Sequence, residues 1–309
     1  ARQEDLPWVP KLRYGIMREY LPTRGTMALD MMRRTATVQA NLDYESEEDA
    51  MRKIRVALRI SPIVSAMFAN GPFLEGARAD VLSMRAKTWL HMDPDRSGLL
   101  PFAWKEGATY NDYVEWLLDI PMFMIKRGGR VLHNTGQTFR AFMEDGFEGE
   151  RATVSDWESH MGTAFPEVRL KKTIEVRGVD GQPTNITCAL PALWKGLLYS
   201  ADALDETEDL TRDFDFETVQ AARPRMAKSA LDARLYDRPV AHWADRILDI
   251  AYRGLAALNH LNTNGYHEGV HLDRLRQLVA TGRTPAQALL EEVEAGTNLR
   301  DAILEHAKL

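Results

Sequence analysis

Residues 172–181 read KTIEVRGVDG, and their strict alternation restricts the fold of this chain more than any other stretch. In an extended segment successive side chains point to opposite faces. Ile174 and Val176 therefore share one side, and Thr173, Glu175 and Arg177 the other. The apolar side is fit for a core, while the other side sets a carboxylate and a guanidinium two residues apart. Locally, such a pair reads most simply as a surface ion pair, which contributes little. TATVQANLD alternates in the same way, with Val38, Ala40 and Leu42 on one side and Thr37, Gln39, Asn41 and Asp43 on the other. Solvent-facing strands favour Lys, Glu and Thr, whereas the amides of Gln39 and Asn41 suit a site. LSMRAKTW reads as a third strand-like stretch and offers Arg85.

The remaining elements follow from period and punctuation. RYGIMREYLP predicts a short helix. SEEDAMRKIRVALRISPIVSAMFAN opens with Ser46 and Asp49 in a capping-box spacing and predicts an amphipathic helix to about Asn70, bent at Pro62. TYNDYVEWLLDIPMFMIKRGGRVLHN reads as a helix, a proline break, an apolar strand and a Gly-Gly hairpin turn. TGQTFRAFMED is a short helix, SDWESHM a capped one, and from Ala189 onward helix follows helix. Polar-faced strands in residues 1–200 and helices in residues 201–309 make the class α+β.

A chain of 309 residues with 45% hydrophobic side chains can bury a large core. Its net charge of −6 argues against a general nucleic-acid or anionic-membrane binder and leaves room for a local basic pocket built from single arginines. No apolar run approaches the roughly 18 residues that span a bilayer. The single Cys188 excludes an intrachain disulfide, suits a reducing cytosol, and is expected to be a small buried side chain. Together these features point to a cytoplasmic protein.

Several runs in order carry a resemblance. LDMMRRTATVQANLDYESEEDAMRKIRVALRISPIVSAMFANGPFLEG, LSMRA, DPDRSGLLPFAW, YVEWLLDIPMF, SDWESHMGTAFPEVRLKKTIEVRGVDG and ALPALWKGLLY resemble glutamate–cysteine ligase of the plant and proteobacterial type. The resemblance is weaker from about residue 200 onward. It implies a glutamine-synthetase-like antiparallel sheet forming an active-site bowl flanked by helices, in one catalytic domain with a helical C-terminal part. It implies Mg²⁺ and ATP, with phosphorylation of the L-glutamate γ-carboxylate followed by attack of the L-cysteine amine, the first step of glutathione synthesis. The partners implied are these small molecules, with a homodimer left open.

By the same resemblance Glu175 is a Mg²⁺ ligand, and Arg177 contacts ATP phosphates or the acyl phosphate. Gln39 is a metal-side residue and Asn41 a glutamate-side one. Arg85, and more weakly Arg13, meet substrate carboxylates, and Met31 and Met32 line the cysteine pocket, although a Met pair read from its residues alone is more often simply core. Arg177 and Arg85 are the expected catalytic pair. The family also needs an acidic E-H-E-like strand, which does not precede Lys11. An N-terminal third is therefore expected to be missing, and the chain alone to be inactive. Gly71 stands where relatives usually have Ser, and Cys188 has no partner for the cysteine-pair control of plant members.

Two other readings compete. HEGVH, residues 267–271, spells the H-E-x-x-H pattern of zinc peptidases, with His267 and His271 as ligands and Glu268 as base. It follows the turn-forming NTNGY, carries Gly269 and has no clear third ligand, so a loop and helix start is the plainer reading. A ligase relative that binds without turnover is the other. ESEED and DETEDLTRDFD read as solvated acidic stretches, and Trp157 and His160 as packing residues.

Overall fold

The computed structural model describes residues 2–307. At its centre lies the helix Glu47–Met67, opened by Ser46, whose hydroxyl accepts from the Asp49 N–H. Pro62 sits inside this helix, where its ring cannot donate to the preceding turn. Sequence period predicts a one-sided apolar stripe, yet from Ala50 to Met67 most positions are buried. The helix is enclosed because the strand Val168–Leu170 packs on it together with the helices Tyr110–Leu118, Ala201–Leu210, Phe216–Ser229 and Val240–Leu258.

The largest sheet among the described residues has three antiparallel strands, in the order Ala40–Leu42, Ile174–Val176, Val168–Leu170. Its register sets Asn41 and Arg169 on either side of Glu175, and Ala40 and Val168 on either side of Val176. Ala40, Leu42, Ile174, Val176, Val168 and Leu170 all point into the core. The alternation read from KTIEVRGVD thus has a buried face against the long helix. The TATVQANLD strand is shorter than expected, paired only over Ala40–Leu42. Just before it, the Thr37 hydroxyl turns to the Val179 carbonyl at 2.8 Å.

LSMRAKTW is not a strand. Ser83 accepts from the Ala86 N–H and starts the helix Met84–Leu90, so a Ser cap outweighs the apparent alternation. The hairpin is present, Met124–Arg127 against Arg130–His133, with Gly128 and Gly129 both at positive φ in its turn. Predicted helices stand at Leu12–Tyr20, Phe139–Asp145 and Val154–Met161. His160 is buried against Phe139, and its Nε2 donates to the Leu117 carbonyl at 2.8 Å, as a packing residue should.

The helical last third joins the same core through a backbone-to-backbone crossing. A Cβ added to Gly254, on Val240–Leu258, would lie 2.0 Å from the Gly196 carbonyl; one added to Gly196, on Ala189–Leu198, would lie 2.2 Å from the Ala251 carbonyl. Trp194, Leu197, Ile247 and Leu255 fill the seam around them. A small hairpin, Arg234–Leu235 with Arg238–Pro239, interrupts the helices. The acidic run 205–215 is only partly solvated, because Asp205 and Glu208 bind Arg52 of the central helix, and Glu208 also binds Arg55. ESEED is the exposed helix start expected of it. Cys188 is exposed rather than buried. It sits at the join between Thr184–Thr187 and Ala189–Leu198, where the chain turns on the surface.

Candidate active site

The face of the sheet turned away from the core opens onto a cleft of about 400 Å³. The central strand and its continuation contribute Glu175 and Arg177, the neighbouring strand Arg169 and then Lys171. The segment before Ala40 adds Thr35 and Gln39, and the opposite wall is Arg13, Tyr14, Met17, Met31 and Met32, with Trp89 and Phe165 at the back. Every strand residue here is an odd-numbered neighbour of a core residue, which is the period of two at work.

Charge is unevenly distributed. Four cationic side chains, Arg13, Arg169, Lys171 and Arg177, line the cleft against a single carboxylate, Glu175. That carboxylate is already engaged: Arg169 donates Nε at 2.7 Å and Nη2 at 2.5 Å to Oε2, and Arg177 donates Nη1 at 3.0 Å to Oε1. The three side chains are only 10–12% exposed. Arg169 is anchored further by Nη1 donating to the Ala164 carbonyl at 3.1 Å. Burial by itself would raise the Glu175 carboxyl, but Arg177 and Arg169 outweigh it and hold the group below the ordinary glutamate range. Burial lowers the Arg177 guanidinium, assisted by the like charge of Arg169.

The sequence-derived residues divide by position. Arg13, Met31, Met32, Gln39, Glu175 and Arg177 all line the cleft. Asn41 is exposed at the sheet edge and accepts from the Thr173 hydroxyl at 3.2 Å, outside the lining. Arg85 is buried behind it: its Nη2 donates to the Arg177 carbonyl at 2.8 Å, and its guanidinium lies 5.1 Å from the Trp89 ring centroid. Burial pushes Arg85 down to about 10, against the attraction of Glu167 and Asp180. Arg85 therefore touches the cleft only through the backbone of Arg177 and does not line it, unlike the substrate-facing position expected of it. Arg169 and Lys171 escaped the sequence reading. The signal was present in VRLKK, where the same alternation runs one strand earlier, across a tight turn from IEVR.

The profile of glutamate-cysteine ligase family 2 matches residues 1–305. The chain belongs to the glutamate-cysteine ligase family. It is 44% identical over 293 residues to the chloroplastic glutamate–cysteine ligase of Brassica juncea, covering 94% of this chain and 56% of that one. The Arabidopsis thaliana protein of the same name is 43% identical, with 94% and 55% covered, and glutamate–cysteine ligase B of Oryza sativa subsp. japonica 41%, with 94% and 58%. This member of the ligase family thus spans a little over half the length of these relatives. Their names are chloroplastic, which overturns the cytoplasmic expectation. Among the described residues no helix is long and apolar enough to cross a membrane.

The zinc-peptidase pattern has another explanation. Glu268–Leu272 is a 3₁₀ turn, not an α-helix, and His267 is its cap, with Nδ1 accepting from the Gly269 N–H at 3.1 Å. Glu268 pairs with Lys195 at 2.5 Å. Among the described residues no three His, Cys, Asp or Glu side chains come together as a metal site would need.

Proposed function

We propose that this chain carries the substrate cleft of an ATP-dependent glutamate–cysteine ligase. The carrying observation is a half-buried cleft with four cations and one carboxylate beside a methionine-lined wall. Phosphoryl transfer is governed mainly by positioned positive charge. The overall step breaks the bond between ADP and the γ-phosphoryl group and forms one to the glutamate γ-carboxylate. The cysteine nitrogen then bonds to the acyl carbon, phosphate leaves with the acyl oxygen, and the amine releases a proton.

Roles follow from placement. Arg13, exposed at the rim, presents a guanidinium fork suited to a planar substrate carboxylate. Arg177, held by Glu175 through its side chain and by Arg85 through its carbonyl, offers a fixed charge to phosphoryl oxygens. Met31 and Met32 supply the soft, adaptable wall on which a thiol side chain can rest. Asn41, exposed at the sheet edge and outside the lining, has no placement that supports the glutamate-side role expected of it. The three-stranded sheet serves as one wall of a larger glutamine-synthetase-like bowl, and residues 1–200 and 201–309 act as one catalytic unit.

Mg²⁺ fits this wall in a limited way. Hard cations take oxygen ligands, and Mg²⁺ is commonly held by one or two carboxylates plus substrate phosphates. Glu175 and the Gln39 amide oxygen are the side chains here that could hold it, the Arg177 contact at 3.0 Å being the looser of the two that Glu175 makes. When bound, the ion neutralises phosphate charge. The test is ADP release by the full-length protein with L-glutamate, L-cysteine and Mg-ATP, omitting each in turn. Release that depends on all three supports the reading; saturable Mg-ATP binding with no γ-glutamylcysteine would favour a non-catalytic relative.

A further inference from the structure

The cations in the cleft differ in how far they are already paired. Both oxygens of Glu175 accept from Arg169 and Arg177, so these three form a clamp with one another. Lys171 is different: it lines the same cleft, is half-buried, and among the described residues no carboxylate lies within ion-pair distance of its ammonium. Its root is nonetheless fixed. The Lys171 N–H donates to the Thr173 carbonyl at 3.0 Å, and its carbonyl accepts from the Tyr44 hydroxyl at 2.9 Å. An ammonium with no acidic partner, rooted beside other cations, is placed to gain from an anion that arrives to meet it.

Its surroundings set the direction in which its pKa moves. Burial lowers the Lys171 ammonium, with Arg169, Arg177 and Arg13 adding like-charge repulsion and Glu175 opposing them only in part. A bound anion would oppose that shift by its attraction for the ammonium. The kind of anion follows from side-chain chemistry: a guanidinium fork matches a planar carboxylate, whereas a compact ammonium on a flexible stem serves a phosphate as a point charge. Arg13, which is likewise without an acidic partner among the described residues, already answers the first requirement.

Resting on the ligase reading above, we propose that Lys171 is a catalytic residue whose ammonium contacts the oxygens of the transferred phosphoryl group. No bond to Lys171 is made or broken, and it keeps its proton throughout.

The test uses the full-length protein and inorganic tripolyphosphate as the probe, titrated calorimetrically into wild type, Lys171→Gln and Lys171→Arg. Loss of one charge-assisted contact should weaken tripolyphosphate binding by about tenfold or more in Lys171→Gln, with Lys171→Arg recovering most of it. L-glutamate binding should stay within about twofold, because that contact is assigned to Arg13. Thermal melting of Lys171→Gln should be at least as high as wild type, since a repelled charge is removed. Equal tripolyphosphate affinity in Lys171→Gln and wild type, no binding to wild type, or a parallel loss of glutamate binding would overturn the proposal. A protein that binds tripolyphosphate through Lys171 but makes no γ-glutamylcysteine would sink the ligase reading, and with it the catalytic role of Lys171, and leave only its phosphate contact standing.

Discussion

Replacing Glu175 by Gln should expose how far the acid at the centre of the cleft also serves the fold. The substitution keeps shape and removes charge, leaving the Arg169 and Arg177 guanidiniums facing each other in a site about one-tenth exposed. Breaking a buried ion pair from one side costs roughly 3–5 kcal/mol. The Gln carbonyl can still accept from Arg169, while its amide would present a donor to Arg177 Nη1, now 3.0 Å from an acceptor. We therefore expect the lower end, about 3 kcal/mol, as a fall in the urea midpoint with an unchanged slope. The pH dependence has a definite sign. Glu175 is held below its ordinary value, so its stabilisation is present above the unfolded glutamate value of about 4.3 and disappears as pH falls through the folded one. The deficit of Glu175→Gln relative to wild type should therefore shrink in acid. Arg169→Met combined with Glu175→Gln should cost less than the two singles together. A loss under about 1 kcal/mol, or strict additivity in that cycle, would show that the clamp is not a coupled unit.

Other consequences are as direct. Gly254→Ala forces a methyl group to 2.0 Å from the Gly196 carbonyl and should destabilise by about 3 kcal/mol or more, whereas Gly15→Ala, a helical position with open space around it, should stabilise by roughly 0.5–1 kcal/mol; urea titrations of both variants check the contrast. Burial pushes His160 down to about 4. The unfolded chain therefore takes up a proton first as pH falls from about 6.5, and some 3 kcal/mol of stability should be lost between there and the folded value. Thermal melts of wild type and His160→Gln across that range should converge in acid, and parallel curves would refute the assignment. His267→Ala should cost only the cap, about 1 kcal/mol, and leave the metal content of the purified protein unchanged; stoichiometric zinc lost with His267 would restore the peptidase reading.

What could be read from the residues depended on whether local pattern and tertiary context agreed. IEVRGVD alternates because its two sides truly differ, one against the long helix and one against the cleft, so period alone separates the two faces, while a site role for Glu175 and Arg177 needed the family resemblance. LSMRA alternates by accident; a Ser cap and its packing on Phe216–Ser229 make it helical, which moves Arg85 behind the site. Asn41 shares a row with Glu175 but lies at an edge, and edge against centre is not encoded in one strand. The alternation of VRLKK puts Arg169 on the same side as Lys171, but its pairing with Glu175 shows only once VRL is laid across IEV in register. Cys188 follows the same logic in reverse: its residue type favours burial, while the turn it occupies lies on the surface.

The cluster of cations in the cleft also bears on how fast anions reach it. The chain as a whole is acidic, net −6, and from a distance it repels the ligands its cleft attracts. At physiological ionic strength charges more than about 8 Å apart scarcely feel each other. The acidic exterior then becomes faint, while a ligand at the rim still senses Arg13 and Lys171. In dilute buffer the far field returns and opposes capture. Association of phosphate-bearing ligands should therefore not show the steep acceleration at low salt that a uniformly basic surface would give.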